Sequence, residues 1–446
     1  MKTEDVYIKN TIDTYNNEKF CAGNIYPELH KINLELSSDK TIYDDLRSLL
    51  INMKFDKENI GTANWNPFSD FIKENDNVLI KPNLVMHENK VGSIDCMITN
   101  FSLIRPIIDY VVLALNGTGS IIVGDAPVQD CDFDKLKLIN NLEKNIEEYT
   151  KIYPNIKLMD FRKNQNASVE CVTVKLDDKS SFSELDDVKK EYSITNYDLK
   201  LMNAHHTGKT HEYIVPKDVL NADVIINMPK PKTHRKAGMT ACMKNFVGVN
   251  GNKECLPHHR TGGPSQNGDE FPENSCIKKI FSWLSKYTYK HNPIVNFIRR
   301  CVSFVMSRTG KGRFTEGSWY GNDTIWRTIL DLNKLIIYTD KNGILTGKPQ
   351  RTIFNGEKEG PLLPSDKKVG LIVAGFNQLN NDYTIAQIMG FEPNKIRYIE
   401  NGYKLDKLRI SLNHNFDIID ENGLVKDIGK YNKHFKATDG WKDYLN

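Results

Sequence analysis

The feature that most constrains this chain is an alternation of short apolar runs that suit buried strands with segments whose apolar spacing suits helices. "NVLIKPN" and "GSIIVGDAP" flank "SLIRPIIDYVVLALNG", whose spacing and closing Gly117 predict a helix of about 13 residues. "FDKLKLINNLEKNIEEYT" predicts a second helix and "NIKLMD" the next strand. Further on, "ADVIINMPKPKTH" and "KKVGLIVAGFNQ" read as two more buried strands, the last followed by a helix closed at Gly390 and expected to complete the sheet. Strand, helix, strand, helix, strand requires crossover connections. The expected fold is therefore α/β: a mainly parallel twisted sheet with crossover helices, carrying a β-rich insertion and a basic helical insertion. The expected organisation is a helical or extended lead-in over 1–76, a main α/β domain over 77–400 and a C-terminal extension over 401–446.

The β-rich insertion is placed at Tyr192 to Pro216, where "HHTGKTH" contributes His205, His206 and His211. The stretch "EGSWYGNDTIWRTILDLNKLIIYTDKNGIL" predicts a Gly-rich loop, a helix started by Asn322 or Asp323, and a hairpin turning at Asn342-Gly343. The basic insertion spans 274–315, with nine Lys or Arg and no Asp or Glu; the rest of the chain has 51 basic residues against 57 acidic, so the overall charge of +3 conceals a segregation. Ile294, Phe297, Ile298, Cys301, Val302 and Val305 follow helical spacing, as do Ile277, Ile280, Phe281 and Leu284, predicting two basic amphipathic helices separated near Pro293. Two readings stand: a helical hairpin packed on the domain with its cations in water, or a surface that meets an anionic membrane.

Ligands of open α/β sheets sit outside the carboxyl ends of the strands. Polar motifs follow three of the predicted strands: Lys81-Pro82-Asn83, then Gly124-Asp125-Ala126-Pro127, then "NMPKPKTHRKAGMTACMKN". In the third, Pro229 and Pro231 fix an extended backbone, so Lys230 and Lys232 are expected to point the same way. A helix beginning near Gly238 would add backbone N–H groups to this cationic stretch, making an anion site. His234 has three open roles, as general base, metal ligand or hydrogen-bond donor. Lys244 and Asn245 read either as closing the pocket or as a surface pair, and "HHRTGGP" (His258, His259, Arg260) either as a cationic lid hinged at Gly262-Gly263 or as an ordinary surface loop. For Asp323, Arg327 and Asp331, four apart on one helix face, a cap with ion pairs is the favoured reading.

No Walker A motif, G-x-G-x-x-G fingerprint, G-x-S-x-G elbow or H-E-x-x-H occurs, which removes the familiar nucleotide, hydrolase and zincin readings. The eight cysteines include no C-x-x-C pair, which counts against zinc knuckles and ferredoxin-type clusters. No basic run is interleaved with a nucleic-acid signature, so nucleic acid is not an expected partner. The first twenty residues place acids and amides where a signal peptide needs an apolar core, so a cytoplasmic protein is expected, with peripheral membrane contact through 274–315 as the variant.

The combination "VLIKPNLV", "VGDAP", "VIINMPKPKTHRKAGMTACMKNFVGV" and "GLIVAGFNQLNNDYTIAQIMGF" resembles the uncharacterised family called domain of unknown function 362, over roughly Asn77 to Gly390. The family pattern maps onto Lys81, Pro82 and Asn83, onto Asp125, onto Lys230, Lys232, Thr233 and His234, onto Lys244, Asn245 and Gly248, and onto Asp382. The resemblance implies an α/β fold and no settled reaction. Many relatives carry an appended ferredoxin-like segment and are labelled iron-sulfur proteins; this sequence lacks every C-x-x-C-x-x-C element.

Together these residues set the expectation of an enzyme acting on an anionic small molecule, phosphorylated or carboxylated. Lys81, Lys230, Lys232, Thr233, Lys244, Asn245 and Asp382 would bind substrate. His234 would be acid/base or metal ligand, Asp125 its carboxylate partner and Asn83 a positioning group. In a variant the substrate is a surface glycan or lipid-linked precursor. A divalent metal at His234, Asp125, His258 or His259 is one cofactor alternative, and an iron-sulfur cluster the less favoured one. The competing classes are a metal or iron-sulfur accessory protein using Cys242, Cys255, His258 and His259, and a ligand-binding module without turnover.

Overall fold

A computed structural model of the chain describes residues 4–90, 92–188, 190–194, 197, 199–273, 275–287, 292–309, 314–358, 369–412 and 414–445. Its centre is a nine-stranded sheet made of β1 (Val6–Asn10), β2 (Asn77–Pro82), β3 (Ser120–Asp125), β4 (Ile156–Asp160), β5 (Val224–Met228), β6 (Thr352–Lys358), β7 (Leu371–Gly375), β8 (Ile418–Asp420) and β9 (Gly423–Leu424). The spatial order is β9-β8-β1-β7-β6-β5-β2-β3-β4. The five strands from β6 to β4 run parallel, which makes the fold α/β. The last apolar run does complete the sheet, but β7 lies antiparallel to both neighbours, β6 and β1. An apolar run has no direction of its own, so its pattern could not show the reversal.

The parallel strands are buried on both faces, and successive side chains enter opposite cores. Val78 and Ile80 enter one core cluster and Leu79 the other, and Ile121 and Val123 part from Ile122 in the same way. Helices therefore cover both faces: Lys40–Asn52 and Phe101–Leu115 on one, Ile325–Tyr338 and Gln378–Met389 on the other. Helix Phe101–Leu115 starts where the Asn100 side chain accepts the Ser102 N–H (2.9 Å) and stops where Asn116 turns left-handed. The next predicted helix is split into Phe133–Leu138 and Leu142–Thr150, because Asn140 and Asn141 both take positive φ, a conformation asparagine tolerates better than most residues.

The lead-in and the C-terminal extension are built into the same sheet, as β1 and as β8 with β9. Near the C-terminus, buried Trp441 donates its indole N–H to the Arg235 carbonyl (3.0 Å) and lies against Gly238, where a Cβ would approach the ring to 3.1 Å. In the β-rich insertion, Thr210–Pro216 pairs with Cys171–Lys175, but Leu199–His205 is helical. Its histidines are engaged locally: His205 with Glu212 (2.8 Å), His206 with the Cys255 carbonyl (3.1 Å) and His211 with Asp186 (2.9 Å). Asn322 caps helix Ile325–Tyr338 by accepting from Thr324 and Ile325 N–H (both 3.0 Å). The Asn342-Gly343 turn is closed by the single bridge Thr339–Leu345 rather than by hairpin strands. The basic insertion forms the two expected helices, Cys276–Ser285 and Pro293–Arg308, the second capped by Asn292.

Candidate functional site

Neighbours β2 and β5 send their chains in opposite directions, β2 toward β3 and β5 toward β6, so a crevice opens between their carboxyl ends. A cavity of about 410 Å³ lies there. That is room for a small molecule.

Its floor is an ion pair. Lys81 Nζ at the end of β2 sits 2.6 Å from Asp125 Oδ1 at the end of β3, both side chains buried. Asp125 also accepts from the Leu84 (2.7 Å) and Ala126 (2.8 Å) N–H groups. Burial pulls the Lys81 ammonium below its ordinary pKa while Asp125 opposes the shift. A chain of buried amides ties this pair across the sheet. The Asn245 amide oxygen accepts from Lys81 (3.4 Å) and its amide nitrogen donates to Asn227 (2.8 Å); Asn227 donates to Asn355 (2.8 Å), and Asn355 to the Gly375 carbonyl (3.1 Å). Strands β2, β5, β6 and β7 are thus linked at one level by a continuous polar network, the kind that fixes a single arrangement. Gly248 packs over the floor so closely that a Cβ there would fall 2.0 Å from Asp125 Oδ1 and 2.8 Å from Lys81 Nζ.

The walls carry cations. Lys232 donates to the Asn83 side chain (3.2 Å) and to the Met97 carbonyl (2.7 Å), both neutral acceptors. Burial, reinforced by Lys244 and Lys230, lowers its pKa to about 7. Burial lowers Lys244 to about 8, and among the described residues this ammonium makes no hydrogen bond or ion pair. Two further lysines reach the cavity. Lys253, lowered by burial to about 7, donates to the Val247 carbonyl (3.0 Å). Lys236, lowered by burial to about 8, points at His259 Nδ1 (3.5 Å). Arg235 stands at the rim, 3.7 Å from Glu316. Thr240 also lines the cavity, its buried hydroxyl without a partner among the described residues.

Two histidines face this space with opposite polarity. His234 Nδ1 accepts the Lys236 (3.1 Å) and Ala237 (3.0 Å) N–H groups, so the neutral ring carries its proton on Nε2. His258 Nδ1–H donates to the Leu256 carbonyl (2.7 Å), which leaves the lone pair on Nε2, with no partner among the described residues. Burial, with surrounding cations, holds both well below the ordinary histidine pKa. Of the three roles open to His234, this polarity fits the donor.

A family model described as Domain of unknown function (DUF362) matches residues 78–387, more than half of the chain, and contains the floor, the walls and both histidines. The chain belongs to this family. No curated protein matches it.

Within the family segment, several expected contacts are rearranged. No helix begins at Gly238; Lys232–His234 and Gly238–Thr240 pair as a β-hairpin with Gly238 at φ +85°, and the helix that follows is only Cys242–Asn245. Asp125 is committed to Lys81 and two backbone N–H groups, and no hydrogen bond joins it to His234. Lys230 lies over the Tyr15 ring (5.7 Å) and Thr233 pairs with Met239 in the hairpin, both outside the cavity lining. Asp382 holds the cavity from behind: it accepts from the Cys242 (2.7 Å) and Met243 (3.2 Å) N–H groups, and burial raises its pKa to about 7. His259 and Arg260 form a short strand paired with Tyr192–Ser193. The metal candidates His234, Asp125, His258 and His259 do not gather, since among the described residues no group of three or more His, Cys, Asp or Glu is placed to hold a metal ion. Asp323 pairs with Arg260 (3.2 Å), Arg327 (3.4 Å) and Arg397 (2.9 Å), the ion-pair reading extended to three partners.

The sequence did not mark Lys253, Thr240 or the base-like polarity of His258. Lys253 stands alone in a polar loop, where no spacing signals a site. Thr240 is marked only by its unmatched hydroxyl, and His258 only by the carbonyl its ring meets.

Proposed function

We propose that the protein is an enzyme acting on a small molecule that carries a phosphate or carboxylate group, bound in this cavity. Lys232, Lys236, Lys244 and Lys253 hold the anion, Thr240 donates to it, and Lys81, Asp125 and Asn245 keep the floor in place. His258 Nε2 takes a proton from the bound molecule, and His234 Nε2–H donates to an oxygen that gains charge. The observation that carries this reading is the imbalance of charge: four lysines face the cavity against Asp125 and Asp130, and Asp125 is already matched by Lys81. Burying ammonium groups without counter-ions is costly, and an anionic ligand removes that cost.

Native mass spectrometry of freshly purified protein, followed by calorimetry with inorganic phosphate, pyrophosphate and citrate, tests the binding. Lys232→Ala and Lys244→Ala should each weaken the best-bound anion by tenfold or more; no retained ligand and no binding of any of the three would reject the reading. Turnover has a separate test. If a retained ligand is converted on incubation, His258→Ala should stop conversion while leaving affinity within about threefold. A retained ligand that is never altered would instead identify a binding module.

A further inference from the structure

The helix Pro293–Arg308 does not pack the way its composition suggests. The face it turns inward is made of Val295, Arg299, Val302 and Met306, of which only Met306 is fully buried. Its richer apolar stripe, Ile294, Phe297, Ile298, Cys301, Phe304 and Val305, spans about 120° of the helix and faces away from the body of the protein. Ile294 is 69% exposed, Phe297 67% and Phe304 60%, and on the preceding helix Trp283 is 58% exposed. A monomer in water rarely leaves so many large apolar side chains together in solvent.

We infer that this hairpin docks on an anionic membrane surface, with the apolar stripe at headgroup depth and its cations against lipid phosphates. Charge decides between occupants. The segment 274–315 carries nine Lys or Arg and no acidic residue; among the described ones Lys279, Arg300 and Arg308 are exposed, while Lys278 is buried, Lys286 is paired with Glu191 and Arg299 with Glu316. A second copy of the same face would oppose positive charge with positive charge, whereas an anionic lipid surface is its complement. Among the described residues no helix is long and apolar enough to cross a membrane, so the fit is to a helix lying in the interface. The hairpin is also tied to the cavity. Glu316 accepts from Arg299 of the hairpin (2.9 Å) and faces Arg235 of the cavity rim (3.7 Å), so one carboxylate connects the docking element to the site.

Flotation of the full chain with phosphatidylcholine vesicles, with and without about one-third phosphatidylglycerol, tests this directly. The chain should float with the anionic vesicles and stay behind with the neutral ones, and added salt should release it. Phe297→Ser with Phe304→Ser, and separately Arg300→Glu with Arg308→Glu, should each cut the bound fraction about tenfold at an unchanged melting temperature, because all four side chains are exposed. Failure to float with either vesicle, or flotation that survives both double variants, overturns the inference. So does a concentration-dependent dimer that the phenylalanine variant abolishes, which would assign the face to a second copy.

Discussion

Lys232 and Arg300 both belong to cation-rich segments inserted into one sheet, yet the fold treats them in opposite ways. Lys232 is buried, donates only to neutral oxygens and has lysine neighbours, so its charge is costly and its pKa falls to about 7. Arg300 stands in water beside an exposed apolar stripe. An exposed cation costs little and acts through its field over roughly a Debye length, about 8 Å at physiological salt. A buried one without a counter-ion stores a free-energy penalty that a bound anion can release. Density of positive charge along a sequence is therefore not a site in itself; burial is what makes it a candidate.

The contrast breaks most readily at the cavity floor. Lys81→Met leaves the Asp125 carboxylate buried with only backbone donors, and should cost about 3–5 kcal/mol in chemical denaturation. Lys81→Met with Asp125→Asn should recover much of that loss, since no charge is then left unpaired. If the single variant is as stable as a hairpin variant, the floor is not the buried ion pair described.

Next comes Gly248→Ala, which drives a methyl group into the same pair and should cost about 1–3 kcal/mol, with anion binding weakened alongside. An Ala variant that melts with wild type would mean the floor can yield.

Acidity sharpens the contrast. The cavity lysines, Lys232 and Lys236 buried and Lys244 and Lys253 half-buried, have folded pKa values of about 7 to 8, below the ordinary 10.5 that the unfolded chain restores. Between these values the unfolded state binds more protons, so their burial penalty is present in full below pH 7 and is relieved as pH rises toward 10.5. Ligand-free protein should gain up to about 1.4 kcal/mol per pH unit for each lysine that titrates. Anion affinity should run the other way, highest below pH 7 and falling through pH 8 as the ammonium groups lose their protons. Melting and calorimetry across this range check both signs, and parallel slopes would contradict the cavity's charge state.

The smallest effect belongs to the hairpin, where Phe297→Ser and Phe304→Ser should each change stability by less than about 0.5 kcal/mol, because both side chains are mostly exposed and Phe304 meets only the exposed Arg308 guanidinium over its ring (4.9 Å).

Much of the sheet was legible because its signals are local. Strands buried on both faces read as continuous apolar runs, Gly390 closes the helix it was expected to close, and Pro293 opens the second basic helix. The place of the cavity was legible too, since Lys81, Asp125 and the Lys232 segment stand at the ends of such runs. Its wiring was not. Nothing near Asp125 in the sequence says that its partner is Lys81 rather than His234, because β2 and β3 become neighbours only through the crossover helix. Lys230 and Lys232 looked equivalent two residues apart, but Tyr15 from the lead-in takes up the first and Asn83 the second.

By itself the sequence determined the α/β layering, the rim on which the polar motifs stand and the two basic helices, since side-chain period, caps and turn residues act within a few residues of one another. The tertiary structure alone decided which lysines are buried, which nitrogen of His234 and His258 holds the proton, and that the apolar stripe of Pro293–Arg308 faces outward. Burial and proton position depend on atoms supplied by elements distant in the chain, and only the assembled fold brings those atoms into contact.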